Sequence, residues 1–323
     1  MAQASYPLTL AERLALAAYD FVLRALQPML RRKLSRRAQK EPEYALNVAQ
    51  RFGQYVGDVP AGGFVWLHAV SLGETRAAAL LLPALRAAFP GMRLLLTHGT
   101  ATGWLQGRSL LQPGDVQAWL PWDTAQATHR FLTHFQPRIG LLMETEVWPQ
   151  LVVACQRAGV PLCLLNARMS EKSLRQAMRL AVFSGPAYRG LTLVLAQSEA
   201  DAQRLQKLGC PDVRVVGNLK FDVPLDPLSV EQGKLWKKEL HESHRLMVCA
   251  ASTRDGEETI ILKAWKDLLL SNAFETAPLL CLVPRHPERF AEVADAIHSA
   301  GLKFRRRTEW TGIPRDCSGL DVV

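Results

Sequence analysis

Residues 64–74 read FVWLHAVSLGE, and this stretch decides the fold. Phe64 to Val70 is a short apolar run of strand length. It stops at Ser71-Leu72-Gly73-Glu74, and a helix-period stretch over Thr75–Phe89 follows directly. A strand that feeds a helix through a glycine-containing turn is the opening half of a βαβ unit, so the next strand should lie parallel to the first. Such a turn lets a ligand approach closely, and the amides at a helix N-terminus favour an anion.

Outward from this stretch the same rhythm repeats. Apolar runs at Arg93–Thr97, Val116–Leu120, Arg138–Met143, Pro161–Ala167, Leu191–Gln197 and Val213–Gly217 alternate with helical patterns such as Thr124–Phe135, Gln150–Ala158 and Glu199–Leu208. Asp222–Gln232 (DVPLDPLSVEQ), rich in Pro and Asp, breaks the rhythm as a linker would. A second series follows: strand Arg245–Ala251, helix Glu257–Leu270, strand Pro278–Val283, helix Pro287–Ala300 and a short strand near Lys303–Arg306. The expected class is α/β, with two Rossmann-like parallel-sheet domains behind an N-terminal amphipathic helix. Its parts are a helix and basic segment at 1–40, a first domain at 41–222, a linker at 223–232 and a second domain at 233–323. About three strands in the second series fall short of the five or six of a usual sheet, so that domain is expected to be incomplete.

Composition excludes several classes. With 323 residues, 48% hydrophobic and 21% charged, the chain has enough apolar material for two cored domains and is neither disordered nor fibrous. Six cysteines at 155, 163, 210, 249, 281 and 317 form no CxxC pair, and most sit in apolar runs. Buried free thiols are expected, without zinc-ligand spacing. Of the net charge of +9, residues 1–40 supply +6, from eight Lys/Arg against two acids. No zinc finger, basic zipper or RNA-binding signature accompanies that charge, which argues against nucleic acid as a partner.

Leu10–Leu30 reads as one apolar helix, bent or ended by Pro28. Arg13, Asp20 and Arg24 share a narrow stripe, and Leu10, Leu14, Ala17, Phe21 and Ala25 cover the other face. Arg31, Arg32, Lys33, Arg36, Arg37 and Lys40 follow. A secretory signal has the reverse order, and three charges interrupt the run too often for a membrane span. A helix lying in the membrane interface, with basic residues on anionic headgroups, is the favoured reading. A helix packed on its own domain stays open, because amphipathicity alone does not separate the two.

Ligands bind outside the carboxyl ends of strands in such sheets, and polar residues cluster there. Glu74 follows the first strand, and His98-Gly99-Thr100-Ala101-Thr102-Gly103 follows the second. Glu144-Thr145-Glu146 follows the strand at 138–143, Asn166-Ala167-Arg168-Met169-Ser170 ends the next, and Gly217-Asn218-Leu219-Lys220 closes the first domain. In the second domain the strand ends carry Ala251-Ser252-Thr253-Arg254 and Pro284-Arg285-His286-Pro287. Glu74 is either a functional carboxylate or an ordinary first-turn helix acid. Two carboxylates at i, i+2 either bind a metal, share a proton or form a structural ion pair. No GxGxxG, P-loop or GxSxG elbow occurs.

The strings FVWLHAVSLGE, LLLTHGTATGW, LMETEVWPQL, LLNARMSEKS, VLAQSEADAQR, VVGNLKFD, CAASTRDGEE and LVPRHPERF together resemble the 3-deoxy-D-manno-octulosonic acid (Kdo) transferases, in the right order from Trp66 to Phe290. The amphipathic N-terminus is similar to that family's membrane anchor. The resemblance implies a GT-B fold, with an acceptor-side first domain and a donor-side second. It implies transfer of Kdo from CMP-Kdo to a lipid A precursor at the cytoplasmic side of the inner membrane, with CMP-Kdo as donor substrate and no cofactor. Glu74 matches the family's catalytic base, and Glu144 and Lys220 match positions that stabilise the transition state. Arg285 and His286 match the cytidine nucleotide site. Ser71, Gly73, Thr100, Arg168, Ser252 and Thr253 complete the candidate substrate-binding set, with Arg168 a bidentate partner for the Kdo carboxylate. No DxD-like triplet stands at a donor-side strand end, so no metal is expected. The chain departs from the family in carrying Arg254 where a histidine is usual. The family pattern also continues past Val323, which leads to an expectation of weak or absent transferase activity. Two alternatives are another GT-B nucleotide-sugar enzyme, such as an epimerase, and a truncated, inactive chain that binds membrane or lipid only.

Overall fold

Strands that are apolar on every residue need cover on both faces, which a parallel sheet flanked by helices supplies. The computed structural model describes residues 7–56, 62–223, 225–242, 244–271, 273–309 and 319–323. It divides into two units, Met1–Val223 and Pro224–Val323.

In the first unit β1 (Val65–His68), β2 (Leu94–His98), β3 (Val116–Trp119), β4 (Ile139–Met143), β5 (Leu162–Ala167), β6 (Leu193–Ala196) and β7 (Val213–Val215) form one sheet in the order β3-β2-β1-β4-β5-β6-β7. Every pair in it is parallel. The chain steps outward from β1 to β3, returns to the middle, and steps the other way from β4 to β7. β1 and β4 are therefore neighbours at the reversal, where open α/β sheets form their ligand crevice.

The helices are α1 (Leu10–Ala25), α2 (Gln27–Ala38), α3 (Leu72–Ala88), α4 (Ala101–Arg108), α5 (Ala125–Phe135), α6 (Pro149–Arg157), α7 (Glu171–Arg179), α8 (Ala181–Arg189) and α9 (Glu199–Lys207). Alternate strand residues face opposite sides. Trp66, Leu95, Leu142 and Leu164 pack with Phe131 and Leu132 of α5 and with Leu151 and Val152 of α6. Val65, Leu67, Leu94, Leu96 and Met143 pack with Ala77, Ala78 and Leu82 of α3. Each such side chain, fully buried, contributes about 1.5–3 kcal/mol.

The N-terminus differs from the single helix expected over Leu10–Leu30. It breaks at Leu26, and Pro28 sits in the first turn of α2, where a missing N–H costs little. The basic residues 31–37 lie within α2. Helix α1 keeps Glu12 and Leu16 buried on the protein side and leaves Arg13 and Arg24 exposed. Glu12 closes a capping box with Thr9 and pairs with Arg189 of α8. Asp20 accepts from the Ala125 amide at 2.7 Å, and Gln150 donates to the Leu16 carbonyl at 2.8 Å. Leu10, Leu14 and Phe21 are 73%, 64% and 73% exposed. Among the described residues no helix is long and apolar enough to cross a membrane.

The second unit contains α10 (Pro227–Glu242), β8 (Met247–Thr253), α11 (Glu257–Leu270), β9 (Leu279–Pro284) and α12 (Phe290–Ser299). The stretch expected as a linker at 223–232 is helical from Pro227. Asp226 accepts from the Leu228 and Ser229 amides, which caps a helix that a proline can start. The strand expected near Lys303–Arg306 is reduced to a bridge at Phe304. Val322 bridges both Phe304 and Leu280, so residues 319–323 take the place beside β9. One face of the β8–β9 pair is covered, with Leu280 and Leu282 against Leu262, Trp265, Val293 and Ile297. On the other face Cys249 and Ala251 are exposed, so burial holds for Cys155, Cys163 and Cys210 but not for Cys249. Cys317 lies outside the described residues.

Candidate active site

The loop after β1 carries Glu74 into the first turn of α3. Ser71 is the N-cap, its hydroxyl accepting from the Glu74 amide at 3.3 Å. The Glu74 carboxylate turns back over the cap. Its Oε2 accepts from the Val70 amide at 2.8 Å, and its Oε1 accepts from the Ser71 hydroxyl at 3.0 Å. The first-turn acid is thus fixed in orientation by the cap it completes. Val70 also receives the next loop, since its carbonyl accepts from the Thr100 amide at 3.0 Å and hydroxyl at 2.8 Å. Thr100 caps α4, and a Cβ on Gly103 would meet the Val70 carbonyl at 2.7 Å, so the close approach of these two loops needs glycine there. His98 belongs to the strand rather than to the rim. It is fully buried at the end of β2 and bonded through Nδ1 to the Ala69 carbonyl at 2.9 Å.

Across the reversal, β4 ends at Met143 and Glu144 follows with φ of 56°, a left-handed conformation that non-glycine residues adopt only when their surroundings enforce it. Its amide donates to the Leu165 carbonyl at 2.9 Å, and its carboxylate pairs with Arg168 Nε at 2.9 Å. Glu144 is buried while Arg168 stays 61% exposed, which leaves the guanidinium open to a second anion. Glu146, two residues on, accepts from the Trp148 indole at 3.0 Å.

The electrostatics follow from three carboxylates around one arginine. Burial pushes the Glu74 carboxyl above its ordinary range, the Val70 and Ser71 donors pull it back, and Glu144 and Arg168 act in opposite senses. Burial, with Glu74 and Glu144 beside it, pushes Glu146 up to about 7 against the pull of Trp148. Glu146 therefore holds a proton well into the neutral range, while Glu144 is already matched by Arg168. The sequence singled out the pair at 144 and 146 but assigned a role to Glu144 alone. What separates the two is their partners, Arg168 beside Glu144 and the Glu74 and Glu144 charges beside Glu146, which spacing does not reveal. Among the described residues no group of three or more acids, histidines or cysteines is placed to hold a metal ion.

Lys220 arrives by a different route. Asn166, with φ of 51° at the irregular end of β5, accepts from the Leu219 amide at 3.1 Å. Gln197 donates to the Asn166 carbonyl at 2.8 Å and accepts from Asn218 at 3.0 Å. Asn218 in turn caps the turn Leu219–Asp222 through the Lys220 amide at 3.0 Å. Three amide side chains thus hold the turn that carries Lys220 to the carboxyl edge of the sheet, and Leu219 packs against the α3 core layer. The sequence reading gave Asn166, Gln197 and Asn218 no role, because an amide relay between three separate loops has no local pattern.

Ser71, Gly73, Glu74, Thr100, Glu144, Arg168 and Lys220 are all at the carboxyl edge of the first sheet. In the second unit Ser252, with φ of 61°, and Thr253 end β8, while Arg285 and His286 follow β9. The Arg285 amide donates to the Thr253 carbonyl at 2.9 Å, which ties the two strand ends together. Arg285 and His286 are exposed, and His286 Nδ1 lies 3.8 Å from Glu288.

Comparison with known proteins adds the family. Residues 46–223 match the family described as 3-deoxy-D-manno-octulosonic-acid transferase (kdotransferase). The chain is 42% identical over 304 residues to the 3-deoxy-D-manno-octulosonic acid transferase of Bordetella pertussis, covering 92% of this chain and 70% of that protein. It is 31% identical to the Haemophilus influenzae protein of the same name, over 90% of this chain and 68% of the other. Among solved structures it is similar to UDP-GlcNAc 2-epimerase from Neisseria meningitidis bound to UDP-GlcNAc, at 16% identity and a TM-score of 0.46, over 74% of this chain and 70% of that one. The strand-end carboxylates sit inside the matched region, and the chain belongs to the Kdo transferase family of glycosyltransferases.

Proposed function

We propose that the chain transfers Kdo from CMP-Kdo to a hydroxyl of a lipid A precursor, with Glu74 as general base. The acceptor oxygen attacks the anomeric carbon, the bond to the CMP phosphate breaks, and the hydroxyl proton passes to Glu74. The observation that carries this reading is the Glu74 carboxylate itself, held at the β1–β4 reversal by Val70 and Ser71 and raised in proton affinity by burial. A base of raised pKa is matched to a proton that leaves late in the reaction. The carbon passes through an oxocarbenium-like state, which the Glu144 carboxylate favours electrostatically. Arg168 offers its free guanidinium face to the Kdo carboxylate, and Lys220 and Arg285 offer positive charge to the departing phosphate. Ser252, Thr253 and His286 line the donor nucleotide.

The acceptor is a lipid, and α1 gives a reason for the chain to meet it at the cytoplasmic surface of the inner membrane. Leu10, Leu14, Phe21 and Val22 face outward, while Glu12 and Asp20 hold the helix to the protein. A helix that presents an apolar face outward is suited to a bilayer interface. Through Leu16 and Asp20 it meets the N-terminal ends of α6 and α5, at the edge of the sheet that carries Glu74, while Glu12 reaches the C-terminal end of α8. Glu74→Gln tests the chemistry: it keeps the size and the Val70 contact, and transfer from CMP-Kdo is expected to fall by roughly 10²–10⁴-fold. Wild-type turnover in that variant would remove Glu74 from the mechanism.

A further inference from the structure

Beside α1 a groove of about 750 Å³ opens between α5 and α6. Leu132 and Val153 form part of its floor, and Arg24, His129, Thr133 and Arg157 line it, with no carboxylate among the lining residues. Arg24 is held by Asp20 at 2.8 Å and belongs to the flank of α1, next to the outward apolar face. His129 and Arg157 are exposed. None of these side chains takes part in the transfer chemistry assigned above. A basic, hydrogen-bonding recess at the side of an apolar face matches the chemistry of a phosphate that hangs from an acyl-bearing glycerol.

We propose that this groove seats the headgroup of an anionic phospholipid whose acyl chains remain in the bilayer beside α1. The inference rests on the membrane reading of α1 and makes it specific. The apolar face supplies depth, and the groove supplies a place where one lipid phosphate meets Arg24, His129 and Arg157 together. The basic residues of α2 attract anionic surfaces diffusely, whereas a seat depends on shape. Ala158, exposed at the end of α6 and part of the lining, gives access to that difference.

The experiment is co-sedimentation of the full chain with vesicles of phosphatidylcholine alone and of phosphatidylcholine mixed with phosphatidylglycerol. The wild-type chain is expected to prefer the mixed vesicles. The double variant His129→Ala/Arg157→Ala should lose roughly tenfold in affinity for mixed vesicles and little for phosphatidylcholine, on the scale of one arginine contact and one hydrogen bond. Ala158→Trp, which fills the groove without removing charge, should lose the same preference. Lys207→Ala on α9 serves as the charge control and should behave as wild type. Wild-type preference in either groove variant overturns the seat. Leu14→Glu/Phe21→Glu reads the underlying membrane assignment separately: it should lose both vesicle types, and if it binds as wild type, the α1 reading fails whatever the groove variants do. Thermal unfolding of each variant establishes that it is folded.

Discussion

The two sheets are made of similar material and finished differently. In the first unit β1, β2 and β4 are apolar and buried along almost their whole length, and helices cover both faces. In the second, β8 reads Met-Val-Cys-Ala-Ala-Ser-Thr, equally apolar at its start, yet Val248 is 48% exposed and Cys249 and Ala251 face outward. Apolarity of a strand therefore does not reveal how many faces are covered. What separates the two is the number of neighbours: β1 has β2 and β4, whereas β8 has β9 alone among the described strands. The candidate site residues follow the same division. Glu74 and Glu144 have every orientation fixed by neighbours, while Arg285 and His286 project from an edge into solvent.

The largest test of this contrast is kinetic. Glu74→Gln should lower kcat by roughly 10²–10⁴-fold while CMP binding is unchanged, because it touches only the first unit. Next is stability. Leu142→Ala, at a site with no exposure, should cost the first unit about 2–5 kcal/mol in denaturant unfolding. Arg285→Ala should act oppositely to Glu74→Gln, weakening CMP binding by roughly tenfold in titration and leaving the unfolding of the first unit as it was. A smaller effect concerns pH. Glu146 has a folded pKa of about 7 against an ordinary 4.5, so its protonated form favours the fold. That contribution is present below pH 4.5 and is lost as pH rises through about 7. Glu146→Gln should flatten the fall in melting temperature over this window. Smallest is Val248→Ala, expected to change stability by about 1 kcal/mol or less. A loss as large as that of Leu142→Ala would mean that Val248, on the same face as Leu280, is covered in solution.

Much of this was legible in the residues. All seven strands of the first sheet lie where apolar runs meet glycine-containing or polar turns, because a strand buried on both faces has no alternative composition. Glu74 was legible for the same reason, as an acid on the first turn after such a run. The Asn166–Gln197–Asn218 relay was hidden, because its bonds join residues from three loops that only the sheet order makes adjacent. The raised proton affinity of Glu146 was hidden because it depends on Glu74, some seventy residues earlier in the chain. At the N-terminus the periodicity grouped Arg13, Asp20 and Arg24 on one stripe, but Arg13 and Arg24 stay exposed and the protein keeps Glu12, Leu16 and Asp20. Glu12 and Asp20 decide it, through an arginine on α8 and an amide on α5.

The strand order also has a consequence for how the protein comes to exist. β1 pairs with β2 through Val65 and Leu94, but its other side waits for Ile139 of β4. In between, a growing chain offers a half-built sheet whose raw edge, β1, is an interior strand of the finished one. Pairings between residues so distant in sequence form slowly, and an unpaired apolar edge invites the wrong partner in the meantime. Glu74 follows that strand, so the share of its raised proton affinity that comes from Glu144, just beyond β4, arises only when β4 docks. A variant that slows this docking would yield less active enzyme per cell by losing molecules on the way, with every survivor fully competent.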